Sequence, residues 1–219
     1  YMDRPCIAAT EDFCGAGYPQ CEALLIIEVE GTPPEIDEPL TLIREIAEGF
    51  GPLEFRASRS EDESQRIWLG RKSAFGAMGV ISDYMCLDGT IPVSPLPYVL
   101  NRIGELSVEA GLRVANVFHA GDGNMHPLIL FDANTPGDLE RCEALGAEIL
   151  RLCVEVGGCL TGEHGVGVEK RELMGTQYTP EDLELQMQVK DVFDPTWRLN
   201  AAKVFPLANS ASRRTADAA

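Results

Sequence analysis

The stretch Val117-Phe118-His119-Ala120-Gly121-Asp122-Gly123-Asn124-Met125-His126-Pro127 constrains this chain more than any other. Two of its 3 histidines lie there, and the third, His164, lies in a second glycine-rich stretch, Thr161-Gly162-Glu163-His164-Gly165-Val166-Gly167. Glycine, aspartate and asparagine supply the positive-φ positions of a tight turn. The pattern predicts a β-hairpin with one strand over residues 113–118, another over residues 128–131, and its turn on Gly121-Asp122-Gly123-Asn124. In that register Ala120 stands opposite Met125 and His119 opposite His126, with Cβ atoms about 4.5–5.5 Å apart on one face. Two imidazoles held so can share a metal ion, at about 2.0–2.1 Å per nitrogen for zinc. They can equally be structural histidines bonded to loop backbone, and the hairpin alone leaves both readings open.

The second stretch adds a carboxylate. Glu163-His164 sits between glycines, which let backbone approach a ligand closely. A glutamate is a natural third ligand beside two histidines, leaving positions open for substrate or water. The metal set expected on pattern is therefore His119, His126 and Glu163. His164, next to Glu163 in sequence, is expected to point elsewhere and to act as a general base near neutrality. The alternative is that Glu163 caps the following helix and His164 is buried and satisfied. Asp122 and Asn124 are rival ligands or simple turn formers, and Cys159 reads as a buried strand thiol. Arg71, beyond Trp68 on a helix, can hold a substrate carboxylate bidentately or be a solvated helix arginine. Lys203, within Asn200-Ala201-Ala202-Lys203-Val204-Phe205-Pro206, is similarly ambiguous.

Composition bounds these readings. With 219 residues and 45% apolar content the chain can build a sizeable core. Lys+Arg 18 against Asp+Glu 35 gives a net charge of −17, which argues against a nucleic-acid surface and against anionic lipid. A small anionic substrate needs only a local cation and is not excluded. The 7 cysteines are odd in number and include no C-x-x-C pair, as expected of free thiols in a reducing compartment. No apolar run approaches the ~18 residues of a membrane span, and no signal peptide is evident. The expectation is a soluble cytoplasmic protein, and the opening Tyr1-Met2-Asp3 reads as an internal start within a longer one.

Along the chain, residues 1–20 read as loop around one short helix, and residues 23–31 as a strand covered on both sides. A helix is expected from about Leu40 to Phe50, then a strand over residues 53–57. Ser60 and Glu63 form a capping box for a helix reaching about Met78, with Val80-Ile81 and residues 84–87 extended. Asp88-Gly89-Thr90-Ile91-Pro92 is a turn, followed by a helix over residues 95–110. After the hairpin, Thr135 as N-cap and Pro136 at the first position start a helix to about Val156. Cys159-Leu160-Thr161 is a short strand, and Thr179-Pro180 starts a helix to Val192. Residues 208–219 read as a disordered tail. Both hairpin strands are apolar on both faces, which predicts helices on one side and a further layer over the histidine face.

His119-Ala120-Gly121-Asp122-Gly123-Asn124-Met125-His126, Gly162-Glu163-His164-Gly165-Val166-Gly167 and Leu199-Asn200-Ala201-Ala202-Lys203-Val204-Phe205-Pro206 together resemble the C-terminal domain of FAD-linked oxidases. These belong to the vanillyl-alcohol-oxidase/p-cresol-methylhydroxylase superfamily, and glycolate, D-lactate and D-2-hydroxyglutarate dehydrogenases are the members most alike. Glu11-Asp12, Ala16-Gly17-Tyr18-Pro19 and residues 83–92 carry the likeness further, so that it spans nearly the whole chain. It implies an α+β fold, duplicated ferredoxin-like units around a largely antiparallel sheet with helices on one face. Residues 1–207 would form the substrate (cap) domain, closing on an FAD bound mainly by an N-terminal domain absent from this chain. The positions matching His119, His126 and Glu163 would bind a divalent metal, zinc or else iron or manganese, which holds the hydroxyl and carboxylate of a small 2-hydroxy acid. The position matching His164 would take the hydroxyl proton as hydride passes from C2 to the flavin. Arg71 and Asn124 would contact substrate, and Asn200 and Lys203 the flavin. Other subunits of a glycolate-oxidase-type complex, one of them an iron–sulfur protein, would be partners, with peripheral placement at the inner face of the membrane.

Two departures bear on this. Ala201-Ala202 replace the Pro-Gly of the family's terminal motif, and no lysine near Tyr84–Cys86 matches the one that binds a distal carboxylate. The second favours short monocarboxylates such as glycolate or D-lactate. Two readings outside the resemblance stand beside it. One is a metal hydrolase using His119, His126 and Glu163 to activate water. The other is a non-catalytic metal or protein-binding module.

Overall fold

A computed structural model describes residues 1–214. The chain is a mixture of helices and short sheets that clusters into two compact units. The first comprises residues 1–83 with 115–117; the second comprises residues 84–114 and the chain from Phe118 on.

In the first unit, β1 (Met2–Asp3) pairs antiparallel with β2 (Ala23–Leu24). Asp3 ends β1 and caps α1 (Arg4–Cys14) by accepting from the Cys6 N–H at 3.2 Å, which satisfies one of the orphan donors of the first turn. Gly15, at φ 57, closes that helix. After α2 (Pro33–Gly49) comes α3 (Glu61–Ile81), which packs on α1 around Cys6, Ile7, Ala74, Ala77 and Met78. Ser60 caps α3 as predicted, accepting from the Glu63 N–H at 3.3 Å, while the Glu63 carboxylate accepts from the Arg59 N–H at 2.7 Å instead of closing the box on Ser60. The helix runs on past Gly79 through Val80 and Ile81, where an extended segment was expected, and ends at Ser82, whose N–H donates to the Met78 carbonyl.

Two expected strands are missing from this unit. Only Ala23–Leu24 of residues 23–31 is extended in a ladder, and Leu25 and Ile27 are about three-fifths exposed rather than covered. Residues 53–57 form no strand. β1 offers the first run just two residues to pair with, Met2 against Leu24 and Asp3 against Ala23. Helix α2 begins at Pro33, earlier than its apolar spacing implies, because Thr32 and Glu35 cap it.

The second unit holds β3 (Asp83–Cys86) from Tyr84 on, β4 (Gly89–Thr90), α4 (Leu96–Ala110), the first two residues of β5 (Arg113–Asn116), β6 (Asn124–Met125) and β7 (Pro127–Phe131). Strand β7 is central in a sheet of order β3-β7-β5, and β4 pairs antiparallel with β6. The run Pro127–Leu130 is buried along its whole length, as its two-faced apolar pattern predicts. Helix α5 (Asp138–Glu155) packs against α4, β7 and β4 through Cys142, Leu145, Ile149 and Cys153. Its N-cap is Gly137 at φ 86, not Thr135. The Thr135 hydroxyl is instead taken by the Asp132 carboxylate at 3.1 Å.

Beyond Cys159, which makes a single bridge to Thr90 rather than a strand, a 3-10 turn leads into α6 (Met174–Gln177) and α7 (Pro180–Phe193). Thr179 caps α7 as predicted, and Asp182 reciprocates by accepting from the Thr179 N–H at 3.1 Å. A core of Leu150, Leu160, Met174 and Leu183 supports this end of the molecule. The expectation of disorder from Ala208 is corrected in part by α8 (Leu207–Arg214), tied down where Arg213 pairs with Glu184 and Asp191. The remainder of that expectation, residues 215–219, lies outside the described residues. No helix of the described residues is long and apolar enough to cross a membrane.

Candidate active site

The histidine stretch does turn back on itself, but in a tighter register than predicted. His119 bridges Asn124, donating its N–H to the Asn124 carbonyl at 3.2 Å, and Asp122 N–H closes the turn on the His119 carbonyl. His119 therefore stands opposite Asn124, not His126. Gly123 sets this register: its φ is 67, and a Cβ there would lie 2.0 Å from the Ile91 carbonyl oxygen. A shift of one residue would have put the two histidines on opposite faces. The shift is two, and the rings still meet edge to face with centroids 5.7 Å apart.

His126 is buried, 2% exposed, and both its ring nitrogens are engaged. Nδ1 lies 3.1 Å from the Leu87 carbonyl oxygen and Nε2 lies 3.0 Å from Glu163 Oε1. A carbonyl can only accept, so Nδ1 carries a proton. Burial above all, with the neighbouring His164 adding to it, pulls the imidazole pKa below its usual 6.5 against the opposing pull of the Leu87 carbonyl. With Nδ1 committed to the Leu87 carbonyl, Nε2 is the ring atom left to face the Glu163 carboxylate, and a proton or a metal cation between Nε2 and Oε1 holds them at 3.0 Å.

His164 does not point away, as expected from its place beside Glu163. It stacks on His126 with ring centroids 5.0 Å apart and planes inclined by 13°, and its Nε2 is 3.7 Å from Glu163 Oε1. His126, Glu163, His164 and Asp88 bring ligand atoms within 4.8 Å of one another. His119 is exposed at the rim and falls outside that cluster.

A cleft of about 300 Å³ opens here, lined by Thr90, His119, Asp122, Asn124, Gly162 and Glu163, at the small end of the range for ligand sites. Its lining holds carboxylates and no lysine or arginine. Asn124, 8% exposed, has a side-chain oxygen with no hydrogen-bond partner. An orphaned buried acceptor costs about 1–3 kcal/mol unless a ligand satisfies it. Gly162 is required beside it, since a Cβ there would approach Asn124 Oδ1 to 2.6 Å.

Sequence reasoning passed over Asp88. The turn read at Asp88-Gly89-Thr90 is in fact β4 and its lead-in, and the Asp88 carboxylate, fully buried, gathers the second glycine-rich loop. It accepts from the Thr161 hydroxyl (2.5 Å), from the N–H groups of Gly162 (3.0 Å), Glu163 (3.1 Å) and His164 (2.9 Å), and from Lys170 Nζ (3.2 Å). Burial opposes its ionisation, but the Thr161 hydroxyl, these amides and the ammonium hold it far below the ordinary carboxylate range. A glycine-rich loop with unsatisfied N–H groups was the available signal that some anion must be held there.

The remaining predicted residues are spread more widely. Arg71 belongs to the first unit, on α3, with its guanidinium over the Phe75 ring at 6.0 Å. Asn200 and Lys203 are exposed on a turn whose backbone meets the second glycine-rich stretch, Val204 donating to the Gly167 carbonyl at 2.8 Å. All 7 cysteines are free thiols; Cys6, Cys142 and Cys153 are buried.

Comparison with known proteins agrees with the resemblance read from the motifs. The chain is 50% identical over 207 residues to the glycolate oxidase subunit GlcD of Escherichia coli strain K12, covering 94% of this chain and 42% of that protein. It is 29% identical to the GlcD subunit of Bacillus subtilis, covering 94% of this chain and 44% of the relative. It is 26% identical to the probable mitochondrial D-lactate dehydrogenase of Danio rerio, covering 96% and 43%. The chain therefore spans less than half the length of these relatives. Residues 1–204 match the family model described as FAD linked oxidases, C-terminal domain, and the chain belongs to that family.

Proposed function

We propose that this chain is the substrate-side domain of a flavin-dependent 2-hydroxyacid dehydrogenase acting on a short monocarboxylate of the glycolate or D-lactate type. The observation that carries the reading is the facing of His126 Nε2 and Glu163 Oε1 at 3.0 Å, with His126 Nδ1 already committed to a carbonyl. That donor set fits a divalent metal, and a backbone carbonyl behind a ligating imidazole is the usual way its tautomer is fixed. His126 and Glu163 would hold the ion, with His119 and His164 flanking it; a bound divalent metal supplies Lewis acidity toward an alcohol and its carboxylate. Zinc, iron and manganese all suit such a nitrogen and oxygen set.

Charge supports the same assignment. An anionic substrate entering a cleft lined by Asp122 and Glu163 needs positive charge that the lining does not provide. Asn124 would contact the substrate through its side-chain amide, and Arg71 would pair with the carboxylate. His164, about half exposed and adjacent to the cluster, would take the hydroxyl proton as a general base. Asn200 and Lys203 would meet the flavin, whose chemistry when bound is hydride acceptance from C2.

The wider picture is part of the same proposal. The FAD domain and further subunits, an iron–sulfur protein among them, would complete the enzyme, with cytoplasmic placement at the inner face of a membrane. The duplicated ferredoxin-like plan is supported by two units that each combine helices with short sheets. The test is flavin reduction in the full-length protein. Glycolate or D-lactate should bleach the flavin anaerobically in the wild type and not in His126→Ala or His164→Ala. Hydrolytic activity of this chain alone, without flavin, would favour the hydrolase reading instead.

A further inference from the structure

We infer that Asp88 is a positioning residue, its buried carboxylate holding the Gly162–His164 backbone so that Glu163 and His126 converge on one cation. The inference rests on the reading that those two side chains bind a metal. Five donors reach Asp88: one hydroxyl, three consecutive amides and one ammonium. Three successive N–H groups turned toward one point form the kind of concavity that binds anions. Here the anion is a side chain of the chain itself, 74 to 76 positions away in sequence.

Its neighbour completes the arrangement. Leu87 O fixes the His126 ring through Nδ1, while Asp88 fixes the backbone bearing Glu163 and His164. One dipeptide thus sets both halves of the cluster. The dipeptide is itself anchored, because Gly89 packs against α5 so closely that a Cβ would lie 2.7 Å from Cys153 Sγ. Leu87 N–H donates to the Pro127 carbonyl at 3.0 Å. Lys170, 5% exposed, neutralises the carboxylate and also donates to the Thr161 hydroxyl at 3.1 Å, so no net charge is left buried behind the cleft. Four of these donors crowd Asp88 Oδ2 and the Glu163 N–H holds Oδ1, which commits Asp88 to the loop although it lies within the cluster.

The test uses the full-length flavoprotein stripped of metal and titrated with Zn²⁺ by calorimetry, with amide exchange followed by mass spectrometry. Asp88→Asn alone would strand Lys170 in the interior, so the variant of choice is Asp88→Asn/Lys170→Met. It should fold and show Zn²⁺ affinity about 10–100-fold weaker than wild type, as loss of an outer-shell partner does. Exchange in residues 162–164 should accelerate while that of α5 stays protected. Unchanged affinity together with unchanged exchange overturns the inference. If the double variant does not fold, Thr161→Val decides: it removes one donor from Asp88 and should weaken Zn²⁺ in the same direction, and unaltered affinity again overturns. Wild-type protein that binds no Zn²⁺ sinks the metal reading instead, and Asp88 is then judged on exchange alone.

Discussion

His126 Nε2 lies 3.0 Å from Glu163 Oε1, although Nδ1 of the same ring is held by the Leu87 carbonyl at 3.1 Å. With Nδ1 committed as donor, Nε2 and Oε1 are left to share one cation, a proton or a metal ion. His126→Ala should abolish metal retention, as measured by elemental analysis of protein purified without an affinity tag. Glu163→Gln keeps the shape but loses the charge and should weaken retention. His119→Ala, altering an exposed ring at the rim, should do least of the three. Equal loss in all three variants would put His119 in the inner set.

Gly162→Ala tests the cleft sterically. A Cβ at this position would approach Asn124 Oδ1 to 2.6 Å and Thr90 Cγ2 to 2.7 Å, and both atoms belong to well-packed strands. Overpacking of this kind costs about 1–3 kcal/mol. The expected outcome is a lowered melting temperature and a raised KM for the hydroxy acid, measured in the full-length enzyme. A variant with wild-type KM would mean that the substrate does not use this wall.

What was legible in the sequence was local. The capping residues Ser60/Glu63 and Thr179/Asp182 lie three positions apart and were readable as helix starts. So was a turn in the histidine stretch, because its residues carry their own backbone preferences, although it falls on residues 120–123, one position earlier than expected, with Asn124 already in β6. The pairing partners were not. The His119 register depends on Gly123 meeting Ile91, the strand expected over residues 23–31 found only two residues to pair with, and Asp88 meets Lys170 across 82 positions. Asp88 in an Asp-Gly pair is a turn by every local rule, and only the folded loop shows that its carboxylate is the loop's anchor.

Acid sensitivity should trace in part to Asp194. Its carboxylate accepts from Lys190 Nζ at 2.7 Å and from the N–H groups of Arg198 and Leu199 at 3.0 Å each. The ammonium first, and the two amides after it, hold the pKa below its ordinary 3.8 against the effect of burial. A carboxyl depressed on folding stabilises fully above its unfolded pKa and loses that contribution as pH falls through the folded one. Urea melts between pH 7 and pH 3 should therefore show wild type losing stability toward the acid end. Asp194→Asn should be less stable at pH 7 and should lose less on acidification. Parallel curves for the two proteins would remove Asp194 from the account.

The terminal turn makes the last case. Asn200 and Ala202 have φ of 48 and 61, in the left-handed region, where a Cβ crowds the following carbonyl and costs about 1–2 kcal/mol. Asparagine tolerates that region through local hydrogen bonds, and alanine has no such recourse. The conformation is nonetheless held, because Arg171 Nη1 donates to the Ala202 carbonyl at 2.5 Å and Val204 N–H to Gly167 at 2.8 Å. Glycine relieves the Cβ clash, and its greater freedom in the unfolded chain takes back only part of the gain. Ala202→Gly, which restores the glycine of the family's motif, should thus raise the melting temperature by the equivalent of a few tenths to about 1 kcal/mol. Because the change keeps the Val204–Gly167 backbone bond that joins this turn to the second glycine-rich stretch, it should leave metal content unaltered. A lower melting temperature would show that the left-handed backbone at Ala202 is not retained in solution.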